Sequence, residues 1–350
     1  LTGPIVINST GIGANWFRLN NAFAVGGSVG NPYALGNAIF LSGASMYSQL
    51  GNAWYLSDVN LLADSAIGGN TSMWNSLTIG TYAAEANPNG TPMAFRVNNN
   101  SSLYFSGSLA LSGPATISLS NSLFVYGGVS GPGSLQLWGG NTLTLAGSSN
   151  YSGSRVAVNQ GVLALLNGNA AQAPLGTASV VVNPGGILRL AANNVGTAVG
   201  GGSITLNSDL GALAVLGLAY NPGSSALPDV VFNTNGAPFN GTVGIDVVGF
   251  SKALDMALIG GGSALLGSTQ TGYYTGGTLG VGAGNTYRLG TGGSSLYLNT
   301  SVLTGSASVQ IGAVNNPVPM LSTSLGNNSG TVFLNTPNNY TGGTTILPCS

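Results

Sequence analysis

Short runs in which apolar and polar residues alternate recur along this chain. A period of two is typical of β-strands that bury one face, and Gly, Asn and Pro between the runs indicate tight turns. The pattern therefore predicts an all-β chain of short strands joined by corners. Clear examples of such runs are Leu109-Ala-Leu111, Ile117-Ser-Leu119, Leu123-Phe-Val125, Leu135-Gln-Leu137 and Leu143-Thr-Leu145.

Spacing typical of an α-helix is found in two short stretches, residues 60–67 and, more weakly, residues 253–259. Both are shorter than an ordinary helix of a globular protein. We expect helix to be a minor part of the structure at most.

A strand-and-turn unit returns far along the chain. Residues 134–154 and 331–343 share an apolar residue two positions before a Leu and, six residues after that Leu, a Tyr followed by Ser or Thr and then Gly. A weaker copy begins at Tyr274. Units too short to bury a core alone predict a stack of coils that cover one another. The repeat residues that we expect to be structural are Asn150, Tyr151, Gly153, Tyr274, Gly276, Asn339, Tyr340 and Gly342.

These residues resemble the passenger-associated repeat, or autotransporter-associated β-strand repeat, of bacterial autotransporters and giant surface proteins. The resemblance rests on Asn141-Thr-Leu-Thr-Leu145, Asn150-Tyr-Ser-Gly-Ser-Arg-Val156 and Gly161-Val-Leu-Ala-Leu165. It is good over 129–190, partial over 273–346 and absent before about residue 100. It implies a right-handed parallel β-helix, a single elongated domain displayed outside a bacterial cell. It implies no particular activity.

Residues 1–98 differ from residues 99–350, which bear the repeat. The first part contains Trp16, Trp54 and Trp74 but no clean copy of the unit. Two interpretations remain open for it: irregular coils of the same solenoid, or a cap. A cap would shield the unpaired strand edges at the end of a parallel stack.

The composition indicates which residues form the surface and whether copies of the chain associate. Charged residues make up 4% of the chain and Gly 58 of its 350 residues, so small polar side chains and backbone must form the exterior. The 43% hydrophobic content is enough for an ordered core. A net charge of −1 leaves little repulsion between copies, which favours self-association into a homo-oligomer or fibre.

Asparagine-rich corners suggest how neighbouring coils are joined. Asn tolerates the left-handed backbone of sharp corners, and its amide can bond to the same atoms one coil away, which builds ladders. We expect such ladders at residues 98–100, 193–194, 315–316 and 338–339.

Residues that carry chemistry are few. Histidine is absent, which removes the usual general base and metal ligand. Asp58 with Asp64, and Asp246 with Asp255 beside Lys252, are the local acidic groupings. Their spacings do not match one strand face, so we expect solvent-exposed loop charges. We predict no catalytic residue, no metal site and no cofactor.

The sequence also argues against binding to nucleic acid and against a membrane span. Six isolated basic residues give no nucleic-acid footprint, and no apolar run reaches the ~18 residues of a membrane span. Cys349 offers no disulfide framework, and we interpret it as an incidental thiol. Leu1 opens the sequence without a secretory leader, so we expect a signal peptide to have been removed or to lie upstream in a larger precursor.

Three hypotheses on function follow. The first is an extracellular structural β-solenoid, a fibre subunit, stalk or surface-layer element that self-associates through coil ends or low-charge faces. The alternative is a surface adhesin that binds glycans or a host or cell partner through Tyr and Asn ladders. The third is a polysaccharide-cleaving β-helix enzyme. Complementary ends would favour the first hypothesis, an exposed line of aromatic residues the second, and two facing acids in a groove the third.

Overall fold

A computed structural model describes residues 3–9, 16–19, 37–49, 53–80, 91–99, 101–166, 174–191, 203–207, 213–224, 227–228, 230–233, 239, 241–313 and 330–347. These residues form 35 short β-strands and two 3₁₀ helices, Met256–Leu258 and Gly260–Gly262. The strands are β1 Ile5–Asn8, β2 Trp16–Leu19, β3 Ile39–Ser42, β4 Ser45–Ser48, β5 Ala53–Trp54, β6 Val59–Leu61, β7 Ser65–Gly69, β8 Ser72–Trp74, β9 Leu77–Ile79, β10 Met93–Asn99, β11 Leu103–Phe105, β12 Leu109–Leu111, β13 Ala115–Leu119, β14 Leu123–Val125, β15 Val129–Gly131, β16 Leu135–Gly139, β17 Thr142–Leu145, β18 Asn150–Tyr151, β19 Arg155–Val158, β20 Gly161–Leu165, β21 Ser179–Val182, β22 Gly186–Leu190, β23 Ile204–Asn207, β24 Ala214–Leu218, β25 Val230–Asn233, β26 Gly241–Ile245, β27 Leu254–Asp255, β28 Leu265–Gly267, β29 Gly272–Tyr274, β30 Leu279–Gly280, β31 Thr286–Leu289, β32 Ser295–Leu298, β33 Ser308–Ile311, β34 Thr331–Leu334 and β35 Thr344–Ile346.

The strands stack in parallel into a β-solenoid. Sheet 1 has the order β1-β3-β6-β9-β12-β15-β18, and sheet 2 the order β2-β4-β7-β10-β13-β16-β19-β21-β23-β25. Sheet 3 stacks thirteen strands from β5 to β35, which at ~4.8 Å per layer extends roughly 60 Å. Sheet 4 is β29-β32-β34, and sheet 5 is β27-β30. The prediction of an all-β parallel stack is confirmed, and the right-handed sense of the coils stays a prediction.

Register places like positions above one another. In sheet 2, Phe95 pairs with Ile117, which pairs with Leu137, and all three side chains are fully buried. Intervening residues of these strands point outward, so burial alternates along β13. Apolar columns of this kind form one core that runs along the stack, because each coil covers the apolar face of the one before it.

Sheet 3 departs from this alternation between β20 and β28, where both faces are buried. The outward column runs through Val162, Ile187, Val215, Thr242 and Leu265 in register. A strand that is covered on both faces can hold apolar residues at consecutive positions, as parallel strands of buried sheets do.

The segment before residue 99 belongs to the same sheets. Strand β10 crosses the predicted boundary at 98/99 and pairs with β7 on one side and β13 on the other. The described parts of residues 1–98 therefore add coils to the solenoid.

Neither stretch with helical spacing forms an α-helix. Residues 60–67 contain the end of β6 and the start of β7 with a corner between them. The corner between the two strands shifts the apolar positions, so that their spacing resembles that of a helix. Within residues 253–259, the structure has strand β27 and the 3₁₀ helix Met256–Leu258.

Candidate functional site

Tyrosines of the repeat motif close corners of the coils. The hydroxyl of Tyr151 donates a hydrogen bond to the carbonyl of Gly133 in the preceding coil and makes a longer contact of 3.5 Å to the carbonyl of Arg155. The Tyr274 hydroxyl donates to the carbonyl of Thr278 and accepts from the backbone N–H of Leu254.

The third tyrosine repeats the arrangement at the last described coil. The Tyr340 hydroxyl lies 2.7 Å from Oγ1 of Thr344. In all three copies a polar partner stands four residues after the tyrosine, so the loop folds around the phenol. Burial raises the pKa of Tyr151 and of Tyr274 to about 12, because the phenolate would lose its hydration.

The glycine two residues after each tyrosine fits the same geometry. A Cβ added at Gly153 would lie 2.2 Å from Cζ of Tyr151, and one added at Gly276 would lie 2.7 Å from Cζ of Tyr274. At Gly342 the obstacle is the backbone of Ala307, 2.6 Å away. The Tyr-x-Gly motif is therefore a close-packed corner.

The two motif asparagines do not build a ladder with each other. Asn150 is exposed at the start of β18, where it pairs with Ser130 in the sheet. Asn339 uses its backbone N–H to bond the carbonyl of Leu303. The structure thus assigns these positions to coil corners.

An asparagine ladder does join four coils along the end of sheet 2. The side-chain amide of Asn183 donates to Asn159 at 2.6 Å, that of Asn207 to Asn183 at 2.7 Å, and that of Asn233 to Asn207 at 2.9 Å. A second pair joins Asn335 to Asn299 at 2.8 Å. The predicted type of bond is present, at positions other than those predicted.

The predicted ladder positions fall elsewhere. Residues 98 and 99 lie inside strand β10, while 193–194 and 315–316 are outside the described residues. Asn338 bonds backbone groups, accepting from the N–H of Leu303 and donating to the carbonyl of Thr336. The ladder therefore forms where a single Asn recurs at the same position relative to successive strands, and not where several asparagines stand in a row.

Asp246 is buried, which corrects the expectation of a solvent-exposed loop charge. Its Oδ2 accepts a hydrogen bond from Nε of Arg189 at 3.3 Å and another from the hydroxyl of Thr269. Its Oδ1 accepts from the backbone N–H groups of Thr269 and Gln270 at 2.6 and 3.0 Å. The charge can be buried because it is paired and hydrogen-bonded on every side.

Glycines make room for this ion pair on the outer face of sheet 3. Arg189 is followed in register by Gly217 and Gly244 in the next two strands. A Cβ at Gly217 would lie 2.3 Å from Oδ2 of Asp246. The Arg189 side chain also bonds the Thr269 hydroxyl through its Nη2 at 2.8 Å. The cluster holds distant coils together and leaves no carboxylate oxygen without a partner.

Two of the other described acids, Asp58 and Asp64, link their own coil to the next coil of the stack. Asp58 accepts from the side-chain amide of Asn75 at 2.7 Å, and Asp64 accepts from the backbone N–H of Ala94 at 2.7 Å. Asp255 is exposed and caps the 3₁₀ helix by accepting from the N–H of Ala257. Among the residues that the structure describes, no three potential metal ligands lie together. Cys349 is outside them.

Stacked aromatic rings line the exterior of sheet 4, a feature that the sequence reasoning missed. The ring centroids of Tyr273 and Tyr297 are 4.5 Å apart, and those of Tyr297 and Phe333 are 4.3 Å apart, with nearly parallel planes. The three residues share one register column. The local signal in the sequence was an aromatic residue at an outward position of each of the three strands. Tyr104 and Phe124 form a second stack on sheet 3 at 4.7 Å.

The last described coil leaves interior positions open. Leu334 continues the column of the buried Leu298, and Ile346 continues the column of Ile311, yet their side chains are 41% and 73% exposed. At the opposite end, Phe17 continues the column of the buried Met46 and is 38% exposed. Both terminal coils thus present apolar positions that a further coil would cover.

Comparisons of the chain with protein-family models, curated proteins and solved structures found no match. Among the described residues, no helix has the length and apolar character to cross a membrane.

Proposed function

We propose that this chain is a structural β-solenoid of the bacterial cell exterior, an element of a fibre, stalk or surface layer that associates with copies of itself through its coil ends. The observation that carries the proposal is the open terminal coil at Leu334 and Ile346. Interior side chains at an open end lack the apolar burial that the inner coils have, and strands β34 and β35 keep free edges in the described structure.

The polar groups support a structural role. The described carboxylates bond to the next coil, cap a 3₁₀ helix or pair with Arg189, and amides join one coil to the next. With 4% charged residues, little electrostatic repulsion opposes contact between copies. The resemblance to passenger-associated repeats supports a location outside the cell. We propose no enzymatic activity.

The test introduces positively charged side chains at the open terminal coil. Leu334→Lys with Ile346→Lys places two ammonium groups where the next coil would pack. The matched control is Val248→Lys, since Val248 is 74% exposed and Ile346 is 73% exposed. Sedimentation velocity and negative-stain electron microscopy at increasing protein concentration measure the association.

We expect the native chain and the Val248→Lys variant to form end-to-end rods, and the double variant to stay monomeric. A native chain that remains monomeric at its highest soluble concentration would contradict self-association. Rods that persist in the double variant would place the contact on another surface.

An adhesin is the second candidate, and the ladder of Tyr273, Tyr297 and Phe333 favours it. Rings that stack face to face offer mainly their edges to a ligand, and Phe333, with 38% exposure, is the most accessible of the three ladder rings. Aromatic faces bind the apolar faces of sugars as they bind other apolar surfaces. Binding to immobilised glycans that is lost in Phe333→Ser and retained in Tyr126→Ser would support this function; no glycan bound above background would exclude it for the glycans used.

A further inference from the structure

Within the part of the chain that the structure describes, the wall of the solenoid is interrupted at one level. Sheet 2 ends at β25 and sheet 5 begins at β27, and these two strands do not pair in the described structure. Sheet 3 continues past the gap through β24, β26 and β28. At this level the described residues include no further strand of sheet 2, and inward side chains of β24 and β26 line a cavity.

A cavity of about 410 Å³ occupies this opening. Its floor includes Leu218 and Val243, which are core residues of β24 and β26, and its side includes Phe232 of β25. Ten of the twelve described lining residues are apolar. A concave apolar site of this size with a few polar groups is the usual form of a small-molecule site.

The mouth of the cavity has an exposed apolar residue, Leu258, and one positively charged residue, Lys252. Leu258 is 80% exposed there, the most exposed of the large hydrophobic residues described. Lys252 is half-buried and makes no ion pair within the described residues. Asp255 also lies at the mouth, but it is exposed and its Oδ1 caps the 3₁₀ helix through the N–H of Ala257.

We propose that this cavity binds an aliphatic carboxylate, the anion of a medium-chain fatty acid. The alkyl chain lies against Leu218 and Val243, where it replaces water on apolar surface. The carboxylate lies at the mouth and accepts a charge-assisted hydrogen bond from the Lys252 ammonium. This site is independent of the coil ends and does not depend on self-association.

The experiment is calorimetric titration of the full chain with decanoate, and in parallel with decanol, which has the same alkyl chain without the charge. Ala253 lines the mouth and is exposed, so Ala253→Phe obstructs entry without touching the core. Its matched control is Ala257→Phe, at an exposed alanine that does not line the cavity. Circular dichroism melts show that each variant is folded.

We expect saturable binding of decanoate to the native chain, at least tenfold weaker binding to Ala253→Phe, and unchanged binding to Ala257→Phe. Lys252→Met is expected to weaken decanoate binding at least tenfold, the lower end of the range for one charged hydrogen bond, and to leave decanol binding unchanged. Arg96→Met, which removes a distant exposed cation, is the control for net charge.

Failure of the native chain to bind decanoate, or equal binding by Ala253→Phe, would overturn the site. Equal decanoate binding by Lys252→Met, or a parallel loss of decanol binding, would overturn the assignment of Lys252 to the carboxylate.

Discussion

Arg189 and Asp246 stand 57 residues apart in the chain, and the structure brings the guanidinium Nε to 3.3 Å from the carboxylate Oδ2 on the buried outer face of sheet 3. Between them lie Gly217 and Gly244 of β24 and β26, and because neither has a side chain, the Arg189 side chain can reach Asp246. A charge pair in this position couples coils that are otherwise linked only through intervening layers.

Removing one member of this pair is expected to be costly. Asp246→Ala leaves the Arg189 charge buried without its partner, and such changes destabilise proteins by ~3–5 kcal/mol. Asp255→Ala, at an exposed carboxylate that caps a short 3₁₀ helix, is the control and should cost only ~0.5–2 kcal/mol. Urea denaturation monitored by circular dichroism measures both. An equal, small effect for the two variants would mean that the ion pair does not hold the coils.

The tyrosine corner predicts different outcomes for two adjacent glycines. Gly276→Ala forces a methyl group against the Tyr274 ring and the carbonyl of Lys252, and overpacking of this kind costs ~1–3 kcal/mol. Gly277→Ala meets nothing within 4 Å and should be nearly neutral. Thermal melts of the two variants make the comparison. Similar melting temperatures would contradict the close packing of the corner.

The asparagine ladder predicts a gradient along its length. Asn183→Ala removes the bonds to Asn159 and from Asn207, each with a net value of ~0.5–1.5 kcal/mol. Asn159→Ala removes one of these ladder bonds and should cost about half as much. Denaturant midpoints of the two variants test the order. A larger loss for Asn159 would show that the ladder contributes little.

Alkaline pH should destabilise the fold through Tyr151 and Tyr274. Their folded-state pKa is about 12 and the ordinary value is 10.0, so above pH 10 the unfolded chain binds fewer protons than the folded one. Stability is then fully present below pH 10 and is lost as the pH rises through 12. Tyrosinate absorbance and melting temperature over this range are the measurements.

The matching variants are Tyr151→Phe and Tyr274→Phe. Each loses a hydroxyl bond and is expected to melt lower at neutral pH, but with a shallower fall between pH 10 and 12. A slope as steep as that of the native chain would assign the alkaline loss to other groups.

Several elements could be predicted from local pattern. Strands β12, β13, β14, β16 and β17 coincide with the alternating runs, because a strand with one buried face needs no more than an apolar residue at every second position. The Tyr-x-Gly units were visible in the sequence as a repeat, and at Tyr274 and Tyr340 the tyrosine, the glycine and a hydrogen-bond partner lie within five residues. Features that depend only on neighbouring residues can be recognised from the sequence.

Other features depended on residues far apart. The helical spacing at 60–67 belongs to two short strands, because apolar spacing alone does not distinguish one helix from two strands about a corner. Asp246 was expected to be exposed because its neighbours in sequence do not include Arg189 or Thr269. The aromatic ladder of sheet 4 was missed because it depends on the register between strands.

By itself, the sequence determined that this chain forms short strands with one apolar face, with glycine and asparagine corners and almost no charge. Those properties follow from side chains and backbone preferences over a few neighbouring residues. Only the tertiary structure decided which residues lie above one another, and with that the ion pair, the ladders, the open coil ends and the cavity at Lys252. Coils differ in length, so the partner of a residue is set by the register of stacking and not by a constant distance along the chain.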